Sequence, residues 1–391
     1  MSNFRFLTLH IIDSLPLHNL NRNDRGMPKT VYQGGVNRGM LSSQSLKRAA
    51  RILYEEDTHD LTYRSKQWLD MEIAKRAKEE RQDVDADEVK ARAGTLIKAL
   101  TASVEKAKKK AAKAAEEGTE VAASKDTSTW LSSDEIEQIA ASILQDIDEN
   151  RATDGKAPIG ENRKTGSLSI AAFGRMFASA AEKQTVSAIA VSPAVTTHQI
   201  ALVDDYFTTV DDLADIYAAD NQGAAYLDRQ AYTTGIYYHT VTIDRDQLGR
   251  EGSWIFSDLD DAKTRLAAMV RALVYGIPSG KKSSTSVGGS AIPVLVMAEE
   301  QRYRTAYDFE SPVQPDRDGG YLKPTLQRLF DERKAGLAFD AGNFGKTNVA
   351  GIDVPDTSDI EANSTNLQGI VDHVVEWWTE GNQGTNNGAM N

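Results

Sequence analysis

The sequence predicts an α+β fold, and three observations carry that prediction. Runs rich in aromatic and β-branched residues recur along the chain as FRFLTLHII (4–12), GIYYHTVTID (235–244) and AIPVLVM (291–297). Between the last two stands DLDDAKTRLAAMVRALVYG (258–276), whose Leu259, Ala262, Leu266, Met269, Val270 and Leu273 recur at helical spacing. Strands alternating with a strongly amphipathic helix place helices against a sheet. A stretch rich in Ala, Lys and Glu and poor in aromatics, 62–150, interrupts this pattern and reads as a helical insertion.

The first run is a strand. Residues 13–39 follow as loop, punctuated by Pro16, Gly26, Pro28 and the pair Gly34-Gly35. A helix then starts after Ser42 or Ser43 and runs to about Tyr54, with Leu46, Ala49, Ala50 and Leu53 as its apolar stripe. Serine suits its start, because a hydroxyl oxygen satisfies an otherwise unpaired backbone N–H. Inside the insertion, VEKAKKKAAKAAEEGTE is a biased segment whose lysines read mainly as a solvated face. SSDEIEQIAASILQDIDEN is a second helix, opened by a serine cap and acidic residues. The helix at 258–276 carries Asp260 and Asp261 at its positive end and Gly276 at its close. Residues 382–391, NQGTNNGAMN, are expected to be a disordered tail.

Bulk properties narrow the function. The 391 residues contain no cysteine, which excludes disulfides, thiolate metal sites and cysteine nucleophiles. No run of eighteen apolar residues and no secretory signal is seen, so no membrane partner and a cytoplasmic location are expected. Net charge is -12, yet it is unevenly spread. Residues 1–51 carry eight Lys and Arg against Asp13 and Asp24, while 353–391 carry seven carboxylates and no Lys or Arg. A polyanion responds to local potential, because screening acts over about 8–10 Å. The basic head therefore permits a polyanionic ligand, or an acidic surface of another copy.

Catalytic signatures are weak. GIPSGKKS (276–283) resembles a phosphate-binding loop but has three residues where four are needed between its glycines, and Lys282 occupies the Ser/Thr place. His59-Asp60 has no supporting histidine, and His10 and His239 on strands read as structural. No metal or cofactor is expected, and no enzyme activity. Binding signals are stronger. Ser42 and Ser43 open a helix whose first N–H groups attract phosphate. Gln44 follows them, and Lys47 and Arg51, four apart, share a face of that helix. Arg22 and Arg25 come from the loop before it. PSGKKSSTSVGGS (278–290) adds amides, hydroxyls, Lys281 and Lys282. An ordinary capped surface helix is the alternative.

LNRNDRGMPKTVYQGGVNRGMLSSQSLKRAAR, with GRM (174–176), TTHQ (196–199), DYFTTVDDL (205–213) and TTGIYYHTVTID (233–244), resembles the backbone subunit of the type I-E CRISPR Cascade, the CasC family. The resemblance runs in blocks from residue 1 to about 300. It implies an RRM-like (ferredoxin-like) palm sheet with a helical fingers insertion and a protruding thumb. The palm then comprises 1–61, 151–191 and 234–381 with the C-terminal helices, the fingers 62–150 and the thumb 192–233. It further implies a non-catalytic subunit whose partners are CRISPR RNA, target DNA, copies of itself in a helical filament, and other Cascade subunits.

In that role Arg22, Ser42, Gln44, Lys47, Arg51, Lys281 and Lys282 hold the guide by its backbone, blind to sequence. Met176 serves as a wedge beside a displaced base, with core filling as the alternative, and Leu202 or Phe207 as a further wedge. The rival reading is a CRISPR RNA-processing endoribonuclease of the same system, with His18 as general base. A protein-binding scaffold is a third.

Overall fold

A strand covered on both faces shows a continuous apolar run instead of alternation. β1 (Phe6–His18) is such a strand: Leu7, Leu9, Ile11 and Ile12 are buried, and so are Thr8 and His10. The computed structural model describes residues 4–101, 128–154, 156–177, 179–209, 226–249, 251–352 and 354–382. After β1 come β2 (Thr30–Gln33), β3 (Val36–Leu41), α1 (Ser43–Thr58), β4 (Thr62–Ser65), α2 (Leu69–Glu80), α3 (Ala86–Thr101), β5 (Thr129–Ser132), α4 (Ser133–Asp148) and α5 (Leu168–Phe173). The middle holds β6 (Ile189–Val191), β7 (Ala194–Thr196), β8 (Val203–Thr209), β9 (Tyr226–Asp244), α6 (Arg245–Leu248), α7 (Leu259–Tyr275), β10 (Gly276–Ile277), α8 (Lys282–Thr285) and β11 (Gly289–Ser290). The chain closes with β12 (Leu295–Gln301), α9 (Leu322–Asp340), β13 (Phe344–Gly351), β14 (Asn363–Ser364) and α10 (Leu367–Asn382).

The described chain divides into two compact units. The first comprises Met1–Leu53, Ala190–Ile243 and Ala267–Glu380. Its sheet runs β14-β13-β12-β1-β9-β7-β3-β2, with β6 and β8 also paired to β9. β1 and β12 pair antiparallel from Phe6 opposite Gln301 to Ile12 opposite Leu295. The mixed α+β architecture with a large sheet is the one expected. One strand is displaced: residues 291–297 read as a strand, but β12 occupies 295–301. Pro293 cannot donate to a ladder, and the polar end AEEQ is tolerated because each group is partnered inside. Glu299 pairs with buried Arg333 and accepts from the Tyr307 hydroxyl at 3.1 Å, and Glu300 meets His373 at 3.1 Å. Burial pushes the Glu299 carboxyl up, but His10 and Arg333 outweigh it and hold it below its usual range.

The second unit comprises Tyr54–Ile189, Asp244–Leu266 and Gly381–Asn391. The helical stretch is there, rooted on a two-strand ribbon in which β4 and β5 pair from Thr62 opposite Ser132 to Ser65 opposite Thr129. The serine cap of α4 is present: Ser132 Oγ accepts from the Glu135 amide, and Glu135 accepts from the Ser132 amide. Most of the stretch 151–191, read from sequence as palm, clusters with these helices: residues 151–189 fall in this unit, and Ala157, Ile159, Phe177 and Ala180 belong to its apolar core. The Lys-rich segment 104–120, the middle of the 192–233 stretch and the tail beyond Asn382 lie outside the described residues.

Candidate nucleic-acid interface

In the first unit, three segments converge on one small apolar cluster. Leu20 follows β1, Leu41 ends β3, Leu46 comes from α1 and Ile277 from β10, with Val287 packed against them. Backbone contact fixes this convergence. A side chain at Gly280 would lie 2.3 Å from the Leu20 carbonyl, and one at Gly276 would lie 2.8 Å from the Ala50 amide. Glycine at both positions lets the 276–290 loop close on the 19–29 loop and on α1.

The 19–29 loop is itself built. Asn23 Oδ1 accepts the amides of Arg25 and Met27, and Asn19 Nδ2 donates to the Gly26 carbonyl. Asn21 accepts the Ser42 amide at 2.9 Å, which ties this loop to the start of α1. Asn21 was not among the site residues expected from sequence, and the run NLNRND of Asx-turn formers is the signal that points to it. Gly34 and Gly35, both at positive φ, turn the β2–β3 hairpin.

The segments that carry the expected cations meet at this cluster. Arg22 and Lys282 are exposed, and Lys47, Arg51 and Lys281 are half-buried. α1 begins at Ser43 and runs to Thr58, one turn past the expected end. Ser42 does not cap it in the expected way: its hydroxyl donates to Ser45 Oγ, which donates back to the Ser42 carbonyl. Gln44 is exposed beside them. Among the described residues Arg22, Arg25, Lys29, Lys47, Arg48, Lys281 and Lys282 make no ion pair with a carboxylate, whereas Arg76, Arg81, Arg92, Arg151, Arg265 and Arg328 all do. Lys47 is the most telling of them. Burial lowers its pKa below the ordinary lysine value, and no ion pair offsets that cost. A half-desolvated ammonium without a counter-charge favours an incoming anion.

One cation of the basic head departs from expectation. Arg38 is buried and donates to the carbonyls of Glu310 and Thr196, so it belongs to the fold. The acidic C-terminal segment is also partly spent, since Asp359 meets Lys334 at 3.0 Å and Glu376 meets Lys346 at 3.4 Å. His18 is 1% exposed, its ring lies against Tyr237, and burial pushes its pKa down to about 4. A general base needs reach to its proton, and this ring is enclosed. His10 and His239 are buried on β1 and β9, beside Glu299 and Asp13. Among the described residues no group of three metal-ligating side chains occurs. No helix there is long and apolar enough to cross a membrane.

The family model described as CT1975-like protein matches residues 7–377. The chain belongs to the CT1975-like protein family. No curated protein matches it. Among solved structures, a chain of a "CRISPR RNA-guided surveillance complex, pre-nicking" superposes with a TM-score of 0.72 at 23% identity, covering 95% of this chain and 100% of the other. A chain of a "CRISPR RNA-guided surveillance complex" gives 0.65 at 22% identity, covering 95% and 99%. These likenesses establish a shared fold.

Three more expected site residues of this CT1975-like protein are not part of that apolar cluster. Met176 is in the second unit and is 69% exposed, which rules out core filling. Its neighbours alone are fixed: Arg175 pairs with buried Glu135 and donates to the Trp130 carbonyl, and Phe177 is buried beneath the Arg175 guanidinium. Leu202 immediately precedes β8 and Phe207 lies within it; the register of β8 with β9 runs from Val203 opposite Tyr232 to Thr209 opposite Tyr226. Leu202 is 45% exposed and Phe207 is half-buried with contacts of its own.

Proposed function

We propose that this chain is a non-catalytic backbone subunit of a CRISPR RNA-guided surveillance complex of the Cascade type, holding the guide RNA by its phosphates. The observation that supports this reading is the meeting, at one glycine-closed rim, of the three segments that bear Arg22, Lys47, Lys281 and Lys282, cations without an ion pair among the described residues. Loop amides, serine hydroxyls and flexible cations offer contacts to phosphate and sugar, which carry no sequence information. A subunit repeated along an arbitrary guide needs that blindness. On this reading the sheet is an RRM-like palm, the helical unit the fingers and the β8–β9 ribbon the base of a thumb. Copies follow one another along the guide, which then pairs with target DNA. Exposed Met176 and Leu202 suit wedging beside displaced bases. The enclosure of His18 weighs against the processing-nuclease reading.

The test is guide binding by the purified chain with two unrelated guides. Lys47→Glu combined with Lys282→Glu is expected to weaken both guides equally, by on the order of a hundredfold for two lost phosphate contacts. Unchanged affinity, or a loss confined to one guide, refutes the reading. Cleavage of a labelled precursor RNA by the wild-type chain favours the nuclease.

A further inference from the structure

The start of β1 carries a second surface. β1 spans thirteen residues, about 40 Å of strand, between Phe6 and His18. The guide-binding loops leave it at the His18 end. At the Phe6 end Phe339 is 93% exposed and Tyr303 is 68% exposed. Both belong to a built platform. Asn343 accepts the Arg302 amide on its carbonyl, accepts the Tyr303 amide on its side-chain oxygen at 2.7 Å, and donates to Thr305 Oγ1. Phe339 is the penultimate residue of α9, four residues before Asn343. Arg5 and Arg304 lie over the Phe6 ring at 5.2 and 4.7 Å. Exposed Arg302 makes no ion pair among the described residues. Asp340 is the one carboxylate in 302–306 and 337–343, and it accepts the Gly342 amide at 3.0 Å.

We infer that this end of the sheet docks another protein subunit of the complex, through a segment that sets an apolar side chain between carboxylates. The inference rests on the proposed function, which supplies the complex. Exposed aromatics on a clamped backbone form an anchor surface, and Tyr, Phe and Arg are the side chains enriched where protein partners bury their contacts. The stretch contains arginine and no lysine, and guanidinium matches carboxylate with two parallel hydrogen bonds. The guide-binding rim differs in its lack of aromatics: its three cation-bearing segments set lysines and arginines among glycines and serines, with no exposed aromatic. Charge and composition therefore favour an acidic protein segment over a second nucleic-acid track.

The test uses the chain co-expressed with its guide and the other protein subunits. Tyr303→Ser with Phe339→Ser, and separately Arg302→Glu, are compared with wild type by native mass spectrometry. The expected result is an unchanged number of copies of this chain on the guide, with occupancy of one other subunit reduced at least about tenfold. Hydrogen exchange gives the same answer without substitution: amides of 300–306 and 337–343 are expected to be protected by the full complex and not by guide alone. A complement of subunits identical to wild type overturns the inference. So does loss of copies of this chain, which assigns the surface to self-assembly, or loss of guide, which assigns it to nucleic acid. A wild-type chain that holds no guide instead refutes the proposed function.

Discussion

Asp13 and His239 show how far burial moves single groups. They lie 3.5 Å apart inside the sheet unit, and both are nearly inaccessible. Burial pushes the Asp13 carboxyl up to about 7 and the His239 imidazole down to about 4. Between pH 4 and 6.5 the unfolded chain therefore protonates the histidine and not the aspartate, whereas the folded chain does the reverse. The two linkages cancel, and the pair contributes no slope of stability against pH in that window. Asp13→Asn removes one side of this balance. The variant retains only His239, whose lowered value makes stability fall as pH falls through the same window. It is expected to lose stability relative to wild type by about 1.4 kcal/mol per pH unit from 6.5 down to 4. Urea midpoints of both proteins across that range check it. Parallel curves would mean that His239 keeps its proton in the folded variant over that range, so that burial does not lower its imidazole.

At the scale of elements, the proposed guide-binding rim rests on the close approach of two loops. Gly280→Ala places a Cβ 2.3 Å from the Leu20 carbonyl and 2.9 Å from that of Asn19. Backbone cannot yield as a side-chain tip does, so the loops must separate. The expected cost is about 1–3 kcal/mol of stability, with weaker guide binding, read from denaturant melts and a binding titration. Gly35→Ala is the control, since an added Cβ there meets nothing and only the left-handed backbone resists it, at about 1–2 kcal/mol. Guide affinity should survive in the control. Equal affinity in both variants would show that loop approach is irrelevant to the rim.

The same elements show what the sequence made legible. The amphipathic stripe of α7, the strand end of β9 and the serine box of α4 follow from periodicity and capping, which are local. The cations Arg22, Lys47, Lys281 and Lys282 were legible as residue types in glycine- and serine-rich surroundings. Their convergence was not, because it rests on Gly276 and Gly280 meeting residues more than two hundred positions away. Arg38, one of the eight Lys and Arg counted in residues 1–51, was not legible as a buried residue for the same reason: its carbonyl partners at Thr196 and Glu310 are distant in sequence. β12 slid by four residues because the burial of Glu299 and Glu300 depends on Arg333 and His373, which no local pattern reveals.

At the scale of the whole molecule, a chain of net charge -12 is proposed to bind a polyanion. The contradiction is only apparent. Carboxylates such as Glu88, Asp146, Asp359 and Glu376 face cations of their own, and screening confines the field of the others to about 8–10 Å. Long-range repulsion and short-range attraction respond differently to salt, and this separates them. Attraction at the rim releases counterions, so log affinity should fall linearly with log salt, with a slope of about -0.7 for each phosphate neutralised on a single strand. If Arg22, Lys47, Lys281 and Lys282 each neutralise one phosphate, replacing Lys47 and Lys282 by Gln should make the slope shallower by about 1.4. Repulsion from the acidic remainder would instead make affinity rise with salt at low ionic strength, in wild type and variant alike. Titrations from low to high salt distinguish the two. A slope left unchanged by the double substitution would mean that these lysines do not touch phosphate, whatever the affinity does.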